Sequence, residues 1–285
     1  INTLTSILLQ IVTAIIGLIM PRLLIGTYGS GVNGLVASIT QFLSYISLME
    51  AGAGSVLKAA LYKPLVQGDE RALSGVLNAC QRFYKKIAWV FLIYLFGLAF
   101  LYPLFSQSSQ FSYSYIVWMV IILGIGTFAQ YFFGLTYQLL LKADQKIYFV
   151  DILQMVTLIL NFLCCYVLIK CNVEIHVVKI TTTLIFLLRP IVINFYAKKK
   201  YNLDASVPSD KMALKQRWHG FGHHIAYFMH RNTDVAILTF FANYSEISVF
   251  SVYNGVVCAV QALIMSVSSG ATSKFGELYA KEDMR

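Results

Sequence analysis

Charged residues are scarce in this sequence: Asp, Glu, Lys and Arg together supply only 12% of its 285 residues. Soluble globular domains usually contain about 25% charged residues and about 45–50% apolar residues. Here the apolar share is 58% and the mean hydropathy is +0.68. The composition therefore excludes an ordinary soluble domain and indicates an integral membrane protein.

Proline and cysteine are also few, and this excludes further classes. Five prolines are too few for a proline-rich linker protein. The five cysteines include no C-x-x-C pair, so neither a zinc site nor a disulfide framework is indicated. They lie mostly inside apolar runs, where we expect small buried side chains. No cleavable signal peptide is recognisable, because the first apolar stretch continues past the length of one.

Long apolar runs are what the sequence has in place of charge. A helix needs about 20 apolar residues to cross a bilayer, and strands of a membrane barrel would need shorter, alternating segments. We therefore predict an all-α polytopic membrane protein with about eight transmembrane helices, of which the last two are the most polar. The runs are Thr3–Ile25, Leu35–Leu57, Ile87–Phe105, Tyr115–Leu141, Ile147–Ile169, Val177–Tyr196, Trp218–Phe241 and Ile247–Thr272.

Basic residues cluster in every second connection between these runs. They follow the second, fourth, sixth and eighth runs. In the other connections the only basic residue is Lys170, and Lys179 lies just inside the next run. By the positive-inside rule, the basic connections and the N-terminus lie in the cytoplasm. The net charge of +9 is spread over these clusters and forms no continuous patch, so we expect no nucleic-acid partner.

The longest polar segment, "KKKYNLDASVPSDKMALKQRW", lies between the sixth and seventh runs and indicates a cytoplasmic linker. We expect a six-helix bundle over residues 1–197, a linker over 198–217, and the first two helices of a second bundle over 218–285. The chain begins inside an apolar run and stops abruptly, with no sequence feature that marks the end of a domain. It is therefore expected to be a fragment of a transporter of about 12–14 spans, built from repeated bundles.

Charges inside the predicted spans are the first candidates for function. A charge near the bilayer centre costs at least about 2.5–3.5 kcal/mol on insertion scales, so it usually faces a bundle interior or water. Arg189 lies near the basic end of its span, and the preferred interpretation is that it extends into the cytoplasm. The other candidates are Arg22, Glu50, His230, Arg231 and Asp234, with Lys58 and Asp151 nearer span ends.

Two motifs resemble nucleotide-binding and metal-binding or catalytic sites, but a structural role explains each of them better. "GSGVNG" satisfies G-x-G-x-x-G but follows a predicted membrane helix, so it predicts a tight glycine turn and no nucleotide site. The four histidines of "RWHGFGHHIAYFMHRNTD" do not form an H-E-x-x-H motif. Two of them four residues apart could bind a metal, but a third ligand seven residues further along the helix would be about two turns away, which disfavours a metal site. Acid–base catalysis lacks a companion motif such as G-x-S-x-G. We expect no metal and no cofactor.

One stripe of the same segment is a candidate for the wall of an aqueous cavity. A spacing of three or four residues places five side chains on one helix face: His219, His223, Tyr227, His230 and Asp234. The first histidines are expected in the cytoplasmic headgroup layer. His230, Arg231 and Asp234 are expected near mid-membrane, facing water, an anionic substrate or a proton-linked step.

Three stretches carry a family resemblance: "PRLLIGTYGSGVNGLVASITQFLSYISLMEAGAGSVL", "RPIVINFYAKKKYNL" and "HRNTDVAILTFFANYSEISVFSVYN". Together they resemble bacterial polysaccharide exporters, the lipid-linked oligosaccharide flippases of the multidrug/oligosaccharidyl-lipid/polysaccharide exporter superfamily. The resemblance covers essentially the whole chain. It implies two six-helix bundles around a cavity that opens alternately to the two sides of the bacterial cytoplasmic membrane.

The resemblance also implies a substrate and partners. The substrate would be a polyprenyl-diphosphate-linked oligosaccharide, handled among membrane lipids, with H⁺ or Na⁺ as coupling ion. Basic residues of spans one, two, seven and eight would meet the diphosphate, and the matching positions are Arg22, Lys58 and Arg231. Span eight departs from the pattern, since it has no cation before Lys274.

Glu50, His230 and Asp234 complete the candidate substrate-binding set, through charge balance or ion coupling. The expectation is a transporter and not an enzyme. Two alternatives stay open: a drug/cation antiporter of the same superfamily, and a multispan glycan polymerase or acyltransferase.

Overall fold

The computed structural model describes residues 2–50, 53–105, 110–210 and 221–282, and every regular element in these ranges is a helix. Seven helical segments of the described chain are long and apolar enough to cross a membrane. The protein is thus an all-α polytopic membrane protein, as predicted. The seven segments are Asn2–Tyr28, Ser30–Glu50, Glu70–Leu104, Tyr113–Ala143, Ile147–Lys170, Ile175–Lys200 and Tyr244–Met265.

Twelve helical elements make up the described chain. In order, they are α1 (Asn2–Tyr28), α2 (Ser30–Ser44), a 3-10 segment (Tyr45–Glu50), α3 (Ala53–Gln67), α4 (Glu70–Phe105), α5 (Tyr113–Ala129), a π segment (Gln130–Gly134), α6 (Leu135–Ala143), α7 (Ile147–Lys170), α8 (Ile175–Lys200), α9 (Phe221–Phe241) and α10 (Tyr244–Glu282).

The seventh predicted run differs from the other seven. It forms α9, a helix of 21 residues, but α9 is not among the segments apolar enough to span by composition. The reason lies in its sequence, where Arg231, Asn232 and Asp234 interrupt the apolar residues. The start of this run, including Trp218 and His219, lies outside the described residues.

Two predicted spans are not uniform α-helices. The run Leu35–Leu57 changes from α2 to the 3-10 segment after Ser44, and α3 begins at Ala53. The π segment likewise separates α5 from α6 inside the fourth run. Such mid-helix changes of hydrogen-bond register often mark hinges or functional sites. Apolar periodicity does not reveal them, because the composition of the run is unchanged across the break.

The connections gather at two ends of the molecule. At the first, the Tyr28 hydroxyl donates to the Val173 carbonyl, and the Phe111 ring lies 5.8 Å from the Tyr244 ring. At the second, the Asn2 amide donates to the Gln145 carbonyl at 2.8 Å. We call these the Gly29 end and the Asn2 end. Successive connections alternate between them, as expected for a chain that crosses a bilayer repeatedly.

The helices form one packed group. α1 packs on α7, α7 on α8, α8 on α5, and α5 on both α2 and α4. α9 then packs on α2, and α10 packs on both α1 and α2. Large apolar side chains lie on the outside, with Ile93 75% exposed and Phe195 71% exposed. This outward apolar surface suits contact with lipid, where burial of polar groups and close packing hold helices together.

The described part of the predicted linker lies against α4 at the Asn2 end. The Asn78 side-chain amide donates to the Val207 carbonyl at 2.9 Å, and the Asp210 N–H donates to the Gly75 carbonyl at 3.0 Å. Residues 201–210 are therefore docked on the first helices. The rest of the predicted linker, residues 211–217, lies outside the described residues.

Candidate functional site

α2 and α10 approach each other closely at the Gly29 end. Ser30, Gly34 and Ser38 recur every four residues, which places three small residues on one face of α2. A Cβ atom on Gly34 would lie 1.7 Å from the backbone oxygen of Tyr244. Only glycine allows this approach, and small residues at such spacing are typical of close helix contacts in membranes.

Hydrogen bonds between side chains connect α2 to α9 and α10 on the same face. The Ser30 hydroxyl donates to the Ser245 hydroxyl at 2.9 Å, and the Asn33 amide donates to the Ser248 hydroxyl at 2.9 Å. Deeper in the molecule, the hydroxyls of Ser38 and Thr239 are 2.5 Å apart, and the Gln41 amide donates to Asn232 Oδ1 at 3.1 Å. We call these four pairs the α2 polar row.

The α2 polar row is buried at its centre. Ser38 is fully buried, and Thr239 and Ser248 are almost so. Each such bond contributes only about 0.5–1.5 kcal/mol net, but a buried group left without its partner costs about 1–3 kcal/mol. The row therefore stabilises one register of α9 and α10 against α2. If these helices separate, its side chains can hydrogen-bond to water in place of each other.

Contacts continue from the row to the 3-10 segment. The Tyr45 ring packs on the Phe228 ring with centroids 5.3 Å apart, and His224 Nε2 donates to the Ser47 carbonyl at 3.3 Å. α9 thus follows α2 along its length. The face of α9 that meets α2 consists of Phe228, Asn232, Val235 and Thr239, spaced by four, three and four residues.

His230 and Asp234 lie on the other side of α9. Each is two residues, or about 200° of helix, away from Asn232, and both are exposed. Arg22 is also exposed, one residue after Pro21 inside α1. His230 and Asp234 of the predicted stripe therefore face away from α2. The side chains of His223 and Arg231, and all of His219, lie outside the described part.

Glu50 and Lys58 are predicted residues that the structure leaves half-buried, at the end of the 3-10 segment and in α3 respectively. Glu50 Oε1 accepts a hydrogen bond from the Tyr131 hydroxyl at 2.6 Å. This bond joins the end of the 3-10 segment to the π segment, so the two helix irregularities meet at one contact. Lys142 and His224 act electrostatically on the Glu50 carboxylate, and Lys58 acts on Lys142.

A cavity of about 600 Å³ lies among the helices from α1 to α8, which we call the first helices, and it was not predicted. Residues of α2, the 3-10 segment, α5, the π segment, α6, α7 and α8 line it, and on α2 its lining residue Ser44 accepts a hydrogen bond from Gln41. Two of its lining residues are cations, Lys179 and Arg189. The sequence indicates both only as charges near span ends.

The interpretation that Arg189 extends into the cytoplasm is wrong. Arg189 Nε donates to the Thr157 hydroxyl, and Nη2 donates to the Gln154 carbonyl at 3.5 Å. Its guanidinium carbon lies 4.2 Å from the centre of the Phe186 ring. Contacts with α7 and with its own helix thus hold the side chain inside the bundle. Sequence position alone gave two possible directions for this side chain, and only packing selects between them.

Metal ligands and known relatives add no further assignment. Within the described residues, no group of three or more His, Cys, Asp or Glu side chains could hold a metal ion. Comparison with models of protein families, with curated proteins and with solved structures gave no match.

Tyr131→Phe is expected to lower the free energy of unfolding by about 1–3 kcal/mol, because the partly buried Glu50 carboxylate loses a hydrogen-bond donor. Thermal unfolding of the purified chain in detergent measures this. The matched control is Tyr113→Phe, whose hydroxyl donates to the Phe100 carbonyl at 2.9 Å in an exposed position. Equal losses in the two variants would contradict a special role for the Glu50–Tyr131 bond.

Proposed function

We propose that the protein is a transporter that moves a polyprenyl-diphosphate-linked oligosaccharide across the bacterial cytoplasmic membrane by alternating access. The observation that supports this is the α2 polar row. In this row, polar side chains on both sides of Gly34 hydrogen-bond α2 to α9 and α10, from the Gly29 end inward, and such bonds can exchange with water. A contact built this way suits a gate that opens and closes.

The orientation follows from the distribution of charge. Basic side chains are concentrated at the Asn2 end, which supports a cytoplasmic N-terminus. The gate at the Gly29 end would then close the outer side. In this state the transporter would receive its substrate from the cytoplasmic leaflet, and separation of α2 from α9 and α10 would release it outward.

Arg22 and Arg231 are proposed to attract the diphosphate, with Lys58 at the cytoplasmic end of the path. Arg22 is exposed and free to meet a large ligand. Arginine forms bidentate hydrogen bonds to phosphate oxygens and keeps its charge in a membrane. His230 and Asp234 share the exposed face of α9 and are proposed to balance charge or to couple transport to H⁺ or Na⁺.

Arg22→Ala and Arg231→Ala are each expected to reduce surface polysaccharide by at least about tenfold at normal protein levels, since each removes a phosphate contact worth a few kcal/mol. The assay is complementation of a strain that lacks this gene. The matched control is Arg82→Ala, which removes an exposed charge from α4. Full complementation by both arginine variants would refute their role.

A drug/cation antiporter is the second candidate, and the Glu50 carboxylate inside the first helices favours it. Cation antiporters need an acidic side chain that can exchange a proton for substrate. The two functions make opposite predictions: Glu50→Gln would abolish antiport and drug efflux, whereas the flippase depends on the arginines. Both candidates involve transport and neither assigns a catalytic step.

A further inference from the structure

The cavity inside the first helices has an unusual balance of charge. Of the described residues that line it, two are cations, Lys179 and Arg189, and none is Asp or Glu. The Tyr131 hydroxyl, which lines the cavity, donates to the Glu50 carboxylate behind it, and Lys142 and His224 also act on that carboxylate. A positive charge in a site of low dielectric is costly unless an anion accompanies it.

The other polar residues of the wall are hydroxyls and amides. They include Ser44, Ser47, Thr127, Gln130, Gln138, Gln154, Thr182 and Thr183. The four hydroxyls of Ser44, Ser47, Thr182 and Thr183 donate to backbone carbonyls. The side-chain amides of the glutamines can donate hydrogen bonds to an anion without adding charge. The volume of about 600 Å³ falls within the range of ligand-binding pockets, roughly 300–1,000 Å³.

The geometry of Arg189 indicates which kind of anion. Its bonds to Thr157 and to the Gln154 carbonyl use two of the five N–H donors of a guanidinium group. The Phe186 ring covers one face and fixes the plane of the group. A guanidinium held in this way in the wall of a cavity suits the paired oxygens of a phosphate or carboxylate, which arginine binds in bidentate fashion.

Lys179 is too far along α8 to share a small ligand with Arg189. The two residues are ten positions apart, about 15 Å along the helix axis. Lys179 therefore contributes a positive field at the part of the cavity nearer the Gly29 end, whereas direct contact with the oxyanion falls to Arg189.

We propose that this cavity is an oxyanion-binding site centred on Arg189, specific for a phosphate- or carboxylate-bearing group. The cavity adjoins the α2 polar row, because its lining residue Ser44 accepts a hydrogen bond from Gln41 at 3.1 Å. The oxyanion proposal does not depend on the proposed transport function. The oxyanion comes either from a soluble anion or from the headgroup of an anionic lipid.

The first arm of the test uses soluble phosphate. The purified chain in detergent is heated with inorganic phosphate or with sodium chloride at equal ionic strength, because general screening affects both salts alike. We expect phosphate to raise the unfolding temperature of the wild-type chain and of Arg82→Gln, and to have at least about tenfold lower affinity for Arg189→Gln.

The second arm uses lipid. The chain is placed in nanodiscs of zwitterionic phosphatidylcholine, with or without phosphatidylglycerol, and unfolding is compared for the same variants. Protection by phosphatidylglycerol alone supports the site and assigns its ligand to a lipid headgroup. Protection by phosphate assigns it to a soluble anion.

A second variant keeps the proposal testable if Arg189→Gln fails to fold. Gly126→Leu adds an apolar side chain at a lining position, where a Cβ would be 3.6 Å from Thr183 and thus in ordinary contact. It is expected to reduce oxyanion binding while Arg189 is intact. The proposal is overturned if neither ligand protects, if chloride protects as well as phosphate, or if the cavity variants bind like Arg82→Gln.

Discussion

Gly34→Ala is expected to force α2 away from α10 and to reduce the proposed export by about 5- to 150-fold. The added Cβ would lie 1.7 Å from the Tyr244 oxygen, 2.6 Å from its carbonyl carbon and 3.1 Å from the Ser248 nitrogen. All three are backbone atoms, so no side-chain rotation relieves the overlap. Overpacking of this kind costs about 1–3 kcal/mol or more, which corresponds to that range in a two-state equilibrium.

The matched control for this effect is Gly26→Ala. Gly26 lies inside α1, and a Cβ there would meet nothing within 4 Å. Because alanine favours helix by about 1 kcal/mol over glycine, this control is expected to be neutral or stabilising. Labelling of a cysteine introduced at Asn33 with a water-soluble maleimide reports separation directly. Equal labelling in the Gly34 and Gly26 variants would show that the close contact is dispensable.

The membrane architecture was predictable because bilayer crossing depends on features that are local in sequence. Run length and continuous apolar character suffice to detect the helices, although they placed the start of α4 at Ile87 and not at Glu70. The turn at Gly29 was equally local: the glycine-rich stretch predicted positive φ, and Gly29 has φ of 86°. Local composition and run length therefore predicted the helical membrane fold and this turn correctly.

The irregular segments of α2 and α5 were not predictable in this way. The 3-10 segment Tyr45–Glu50 and the π segment Gln130–Gly134 meet through the hydrogen bond between Tyr131 and Glu50. That contact joins residues 81 positions apart in sequence. No window of local periodicity contains both partners, so the sequence marked Glu50 as a candidate but gave no reason for its position.

The candidate residues of α9 show a second limit. Helical spacing correctly grouped His230 and Asp234 on one face, but it did not say which face meets α2. The opposite face, with Asn232 and Thr239, forms the contact. Charged residues in a membrane span were used to predict the functional face of the helix. Small polar residues at four-residue spacing are the better guide to helix contacts. The recurrence of Ser30, Gly34 and Ser38 was the available signal.

A disulfide between cysteines at positions 30 and 245 is expected to block the proposed export and to release it on reduction. The hydroxyls of Ser30 and Ser245 are 2.9 Å apart, so two cysteines there fall within reach of a disulfide after a small adjustment. The bond would hold α2 against α10 at the Gly29 end. If alternating access requires this contact to open, export should fall at least about tenfold and return with reductant.

The control for this cross-link is a pair that the fold keeps apart. Thr40 lies ten residues after Ser30 in α2, about 15 Å along the helix, and it lines the cavity. Cysteines at 40 and 245 should neither cross-link nor change export under the same oxidation. Both tests are made with the exposed Cys171 replaced by serine to prevent competing disulfides. Full export by a completely cross-linked 30–245 protein would mean that this contact is permanent. The gate, and with it alternating access at this end, would then be wrong, whereas an oxyanion site at Arg189 would be unaffected.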